Sequence, residues 1–129
     1  MRLLQKNNKS AVIGQETEQQ ALNFLQQQGL TLIARNYHCR RGEIDLIMDD
    51  QQTLVFIEVR YRKNARFGSS TESITAAKQQ RIITTAEHYL QHKIKGQTPA
   101  CRFDVVAIYP SGTAQNSLQF DWIKSAFSS

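Results

Sequence analysis

Residues 42–62 constrain this chain more than any other stretch. Gly42-Glu43-Ile44-Asp45-Leu46-Ile47-Met48 leads into the polar break Asp49-Asp50-Gln51-Gln52-Thr53, and Leu54-Val55-Phe56-Ile57-Glu58-Val59-Arg60-Tyr61-Arg62 follows. Both halves are rich in aliphatic, β-branched and aromatic residues and the break carries turn chemistry, which predicts an antiparallel β-hairpin. With the turn at Asp50 to Thr53, Asp49 pairs with Leu54, Asp45 falls opposite Glu58, and Glu43 falls opposite Arg60. One face then carries Ile44, Leu46, Met48, Val55, Ile57, Val59 and Tyr61; the other carries Glu43, Asp45, Ile47, Phe56, Glu58 and Arg60. A slip of one residue would push Asp45 into the apolar face, so the hydrophobic pattern itself selects this register.

Carboxylates facing each other across neighbouring strands repel unless positive charge lies between them. A hard divalent cation is one resolution, because Mg²⁺ or Mn²⁺ takes oxygen ligands, keeps several waters and uses one or two carboxylates plus substrate phosphate. The other is a solvated sheet face on which Glu43 and Arg60 form an ordinary cross-strand pair.

The length suits a single soluble domain with a real core. Sixteen Lys and Arg against eleven Asp and Glu give a net charge of +5, which favours a polyanionic partner but is also common in proteins that bind none. Cys39 and Cys101 are the only cysteines and lack CxxC spacing, so neither a zinc site nor a disulfide framework is indicated and the expected compartment is the cytoplasm. Met1 to Lys9 is basic without an apolar h-region, and no apolar run reaches spanning length, so no membrane association is expected. The chain has no internal repeat and no GxGxxG, GxxxxGK[ST], HExxH or Ser/His/Asp signature, which excludes the usual nucleotide and hydrolase motifs.

Residues 1–13 read as a flexible basic arm and 14–129 as one domain. From Gln15 to Gln28 the spacing is helical, with Gly29 placed for a C-terminal cap. Glu18, Ala21, Leu22 and Leu25 share one stripe, so Glu18 sits either on the core-facing row or at a solvated edge where a first-turn acid suits the helix dipole. Leu30 to Tyr37 predicts an edge strand, followed by a basic turn at His38, Arg40, Arg41 and Gly42, with His38 a surface residue. Lys63 to Ser70 reads as a basic loop beside the acids. Ser69 with Glu72 has capping-box spacing and predicts a helix to about Lys95. On its core row Ile74, Lys78, Ile82, Ala86 and Leu90, the lysine either snorkels to solvent or reaches the acids. Arg102 to Tyr109 predicts a strand buried on both faces, with Asp104 either a fourth acid near the site or, the preferred reading, a structural partner for an arginine. Leu118 to Ile123 predicts a final edge strand.

The resulting order, α-β-β-β-α-β with a further edge strand, predicts a mixed α/β sheet flanked by helices, its strands parallel across the crossover helix. Glu18, Asp45 and Glu58 then come from three elements able to meet. A leading helical Glu, an Asp on a later strand and Glu-x-basic on the next resemble the PD-(D/E)xK restriction-endonuclease-like superfamily. More closely, Gly14, Glu18 and Ala21 in G-x-x-x-E-x-x-A, G-E-I-D-L-I at 42–47, L-V-F-I-E-V-R at 54–60, Lys78-Gln79 and R-F-D-V-V at 102–106 resemble the YraN family, described as nuclease-like and similar to Holliday-junction resolvases.

The resemblance implies a restriction-endonuclease-like core and a Mg²⁺- or Mn²⁺-dependent endonuclease acting on branched or structured DNA. It implies Asp45 and Glu58 as metal ligands, helped by the Val59 carbonyl and by Glu18. Two positions depart from the superfamily pattern. Ile44 stands where proline precedes the Asp, and Arg60 replaces the lysine. Arginine stays protonated and cannot act as a base, although it clamps phosphate oxygens; Lys78 is the candidate for the missing ammonium. Acting on two strands of a junction would favour a homodimer. The alternative expectation is a nuclease-like nucleic-acid-binding module without turnover, and a third is an interaction scaffold whose acids are structural.

Overall fold

The structure, a computed structural model, describes residues 4–62, 74–111 and 117–129. Its elements are α1 (Leu4–Gln27), β1 (Thr31–Cys39), β2 (Gly42–Asp50), β3 (Thr53–Tyr61), α2 (Ala76–Lys93), β4 (Cys101–Pro110) and β5 (Leu118–Phe127). The strands form one mixed sheet in the order β1-β2-β3-β4-β5. β1 and β5 are therefore the edges, as their sequences predict.

The hairpin register is the expected one near the turn, with Asp50↔Thr53, Asp49↔Leu54, Met48↔Val55, Ile47↔Phe56 and Leu46↔Ile57. Gln51 and Gln52 take φ of 50° and 76°, the pair of positive values that a two-residue turn needs to match the strand twist. Across α2 the chain returns parallel to β3, from Leu54↔Cys101 to Tyr61↔Ile108, as a crossover helix that covers the sheet it leaves allows.

Alternation along β2 and β3 feeds two cores. Leu46, Met48, Val55 and Ile57 pack with Ala21, Leu22 and Leu25 of α1 and with Val106 and Ile108 of β4. Ile47, Leu54 and Phe56 pack with Ile82, Ile83, Ala86 and Tyr89 of α2 and with Phe103. Each fully buried large side chain of this kind contributes about 1.5–3 kcal/mol. Phe103 to Ile108 are buried without interruption, because β4 lies inside the sheet with a helix over each face. Phe24 of α1 stacks on Phe120 at 4.7 Å and meets Trp122 edge-on at 6.2 Å, which ties β5 to the α1 layer.

Several boundaries differ from the sequence-based expectation. α1 begins at Leu4 rather than Gln15, so helix runs through most of the stretch read as an arm. Its C-terminal cap is at Gly29, φ 102°, with Gly29 N–H donating to Gln26 and Leu30 N–H to Leu25. α2 begins at Ala76, capped by Thr75, whose hydroxyl accepts the Lys78 N–H at 3.1 Å. The Ser69–Glu72 capping box and the basic loop 63–70 lie outside the described residues. Ile44 joins the α2-side core and not the face of Leu46 and Met48, so strict alternation breaks between Ile44 and Leu46. The break falls between the β1–β2 pairs Arg35↔Leu46 and Tyr37↔Ile44, where Asn36 of β1 takes φ of 52°.

Candidate functional site

The β2–β3 ladder ends at Leu46↔Ile57. Immediately beyond it, Asp45 Oδ2 accepts the backbone N–H of Val59 at 2.8 Å. A side-chain oxygen thus takes a main-chain donor of β3, and the ladder pairing expected between Asp45 and Glu58 does not form. The two acids nevertheless remain electrostatic neighbours. Burial, then the Glu58 carboxylate, pushes the Asp45 carboxyl up to about 8; the Val59 N–H opposes this, and Glu18 and Glu43 add to it.

Glu58 is only 7% exposed and forms an ion pair with Lys78, Nζ to Oε2 3.0 Å, while Arg60 Nη1 stands 4.0 Å from the same oxygen. A buried carboxylate needs such compensation, because desolvation disfavours its charged form. Lys78, 39% exposed, reaches Glu58 from the third position of α2. Of the two expectations for this lysine, contact with the acids is the one found.

Asp45, Glu58 and Lys78 border a cleft of about 200 Å³, together with Gly42 and Glu43 of β2 and Arg81 and Ile82 of α2. Gly42 permits this close approach of α2, since a Cβ there would lie 3.0 Å from Thr85 Oγ1 and 3.4 Å from Arg81 Cβ. Glu18 does not border the cleft. It approaches from α1, where burial raises its pKa, Arg35 and hydrogen bonds with Asn36 and Asp45 oppose the rise, and Glu43 reinforces it. The structure therefore brings Asp45, Glu58 and Lys78 together, sets Arg60 at the margin, and places Glu18 within electrostatic reach of Asp45.

Asp104 lies apart from this cluster. It is fully buried and accepts from Arg102 Nε at 3.0 and 3.1 Å, Trp122 Nε1 at 3.0 Å and Ser125 N–H at 2.9 Å, while Arg102 also binds Asp50 at 2.8 Å. It is the arginine partner that its position suggested. Arg81 is the site-bordering residue that the sequence reading missed. Its signal was available, because Lys78 and Arg81 are three apart on one helix and share a stripe.

Among the described residues no three His, Cys, Asp or Glu side chains form a metal-holding group. Asp45, Glu58 and the more exposed Glu43 are the carboxylates that border the cleft. No helix among the described residues is long and apolar enough to cross a membrane.

Fold and site define a small mixed α/β protein in which an acidic pair, placed where the β2–β3 ladder ends, faces basic residues of the crossover helix. The chain belongs to the uncharacterised protein family UPF0102, the YraN family its motifs resemble, whose model matches residues 17–108. That match spans α1 to β4 and includes Glu18, Asp45, Glu58 and Lys78. It is 54% identical over 114 residues to a UPF0102 protein of Nitrosococcus oceani, covering 88% of this chain and 90% of the relative. It is likewise 54% identical over 126 residues to one of Psychromonas ingrahamii, covering 98% and 95%.

Proposed function

We propose that this protein is a metal-dependent endonuclease with a restriction-endonuclease-like core, acting on branched or structured DNA through the Asp45–Glu58 cleft. The observation that carries this reading is the pairing of a half-buried Asp45 with a buried Glu58 from the adjacent strand, the first raised to about 8 largely by desolvation and by the second. A fold gains no stability from keeping like charges together, and such perturbed pairs concentrate at functional sites. The order α-β-β-β-α-β and the parallel β3–β4 pair support the fold assignment.

The donor set fits Mg²⁺ or Mn²⁺: hard carboxylate oxygens in a cleft open to water, without sulfur or imidazole. Asp45 and Glu58 would hold the ion, with the Val59 carbonyl as a further oxygen. Bound there, the ion supplies Lewis acidity toward a phosphate and lowers the pKa of a water. The chain's own residues do the rest. Asp45 is fixed by the Val59 N–H, so one donor is oriented before substrate arrives. Arg60 is permanently protonated and serves to clamp a phosphate oxygen, never as a base. Lys78 and Arg81 place positive charge on the α2 wall, where a polyanion would lie. A two-fold dimer would present two clefts to two strands of a junction.

The test is incubation with four-way-junction, flap, single-stranded and duplex DNA in Mg²⁺, in Mn²⁺ and in EDTA. Cleavage that EDTA stops and that Asp45→Ala and Glu58→Ala abolish is expected. Absence of cleavage of every substrate, with Asp45→Ala indistinguishable from the parent chain, would remove the reading. Arg60 in the lysine position favours one other: a nucleic-acid-binding module without turnover. Salt-sensitive DNA binding indifferent to EDTA and to Glu58→Ala supports that alternative, and EDTA-sensitive cleavage excludes it.

A further inference from the structure

Lys78 stands where charge compensation for Glu58 is needed. Its Nζ lies 3.0 Å from Oε2 of a carboxylate that is almost wholly buried, whereas Lys78 is 39% exposed. Its backbone is pinned, because its N–H is bound by the Thr75 cap at 3.1 Å. The four-carbon stem is free to swing toward solvent about that fixed point. The neighbouring acids are satisfied by different means: Asp45 takes the Val59 N–H and Glu58 takes the ammonium. A dication entering the cleft would seek the same Glu58 oxygen, which already faces Arg60 at 4.0 Å as well as Lys78 at 3.0 Å, and the added repulsion among cations at this range favours release of the mobile ammonium.

We infer that Lys78 is an exchangeable counter-ion: its ammonium competes with a divalent cation for Glu58 and, when displaced, turns to the open side of the cleft to meet an incoming anion. This rests on the reading of the cleft as a metal site. It explains a lysine on an apolar helical row that neither snorkels away from the acids nor is buried with them. It also assigns Lys78 a positioning role tied to metal occupancy, separate from any part in cleavage.

Calorimetric titration with Mn²⁺ tests it on the whole chain, with Lys78→Met, Lys78→Arg and, as a control for net charge, Lys93→Met at the end of α2. Lys78→Met is expected to bind Mn²⁺ on the order of tenfold more tightly than the parent chain, with Lys78→Arg and Lys93→Met unchanged. In parallel, acylation of the Lys78 amine, followed by mass spectrometry on the parent chain, is expected to rise as Mn²⁺ saturates. Equal Mn²⁺ affinity in the parent chain and Lys78→Met overturns the exchange while leaving the metal site standing. No Mn²⁺ binding by any form removes both. Should Lys78→Met fail to fold, the acylation experiment decides alone, and reactivity unchanged by bound Mn²⁺ overturns the exchange.

Discussion

The Asp45 carboxylate accepts the Val59 N–H at 2.8 Å, so an acid takes up a β3 main-chain donor at the point where the β2–β3 ladder ends. The bond orients the acid, but it does not offset the burial and the Glu58 charge that push its carboxyl from 3.8 to about 8. A carboxyl raised on folding contributes stability fully present below its unfolded pKa and lost as pH rises through the folded one. The native chain is therefore expected to lose stability through this group between about pH 4 and pH 8. In Asp45→Asn the neutral amide oxygen still accepts the Val59 N–H, and this loss disappears. Thermal melts across that range should show the two chains alike near the acid end, and the variant ahead by at least about 1 kcal/mol on the alkaline side. No gain at alkaline pH would contradict the placement of Asp45.

Asp104 is the structural counterpart of the cleft acids, since among the described residues its hydrogen-bond partners Arg102, Trp122 and Ser125 are all donors. Trp122 and Ser125 of β5 donate to it and fasten that strand to β4, while Arg102 of β4 itself holds the carboxylate in place. Asp104→Ala leaves Arg102 with Asp50 and strands the indole and amide donors, for an expected loss of about 3 kcal/mol, toward the lower end for a broken buried pair because Arg102 is partly exposed. Denaturant melts give the magnitude. Tryptophan fluorescence locates the damage, because Trp122 should report the change at native conditions. A loss below about 1 kcal/mol would show that the network is dispensable.

Gly42 governs how closely α2 approaches β2. An added Cβ would lie 3.0 Å from Thr85 Oγ1, a hydroxyl held in place by donation to the Arg81 carbonyl at 2.7 Å. Gly42→Ala is therefore expected to cost about 1–3 kcal/mol through overpacking. Thr85→Ala vacates the position, and the double variant should recover part of that cost, a coupling beyond the roughly 0.5 kcal/mol seen for independent sites. Additive losses in urea melts would mean that the helix moves aside freely.

The hairpin register was legible because apolar alternation and turn chemistry agree from Ile47 to Phe56, and a one-residue slip there exposes the core. The doubly buried β4 was legible from the unbroken run Phe103 to Ile108, apart from Asp104. The break at Ile44 and Asp45 was not. It coincides with the left-handed Asn36 of β1 and with the Asp45 bond to the Val59 N–H, neither of which periodicity encodes, and Ile44 lies in the opposite core. The start of α2 was misplaced because Ser69 with Glu72 has the spacing of a cap, while the residue that caps the helix is Thr75, recognisable only from its bond to Lys78. The role of Gly42 depends on a helix approaching from forty residues later. By contrast, the acids themselves stood out as charges on strands that otherwise read as core.

Glu18 separates a site formed by two strands from one that also uses α1. It borders no part of the cleft, yet its charge adds to the raising of Asp45, behind that of Glu58. Removing each acid in turn should therefore lower the Asp45 titration midpoint, with Glu58→Gln moving it further than Glu18→Gln. Carboxyl-carbon NMR titration of the Asp45 side chain reads this directly and needs neither metal nor substrate. Mn²⁺ affinity should follow the same order, falling steeply in Glu58→Gln, where a proposed ligand is lost, and less in Glu18→Gln, where an acid hydrogen-bonded to Asp45 loses its charge. A Glu18→Gln chain with an unchanged Asp45 midpoint would place Glu18 outside the cluster, leaving the candidate site to β2, β3 and α2. An effect equal to that of Glu58→Gln would instead put α1 on the same footing as the strands, with the acid cluster spanning both faces of the sheet.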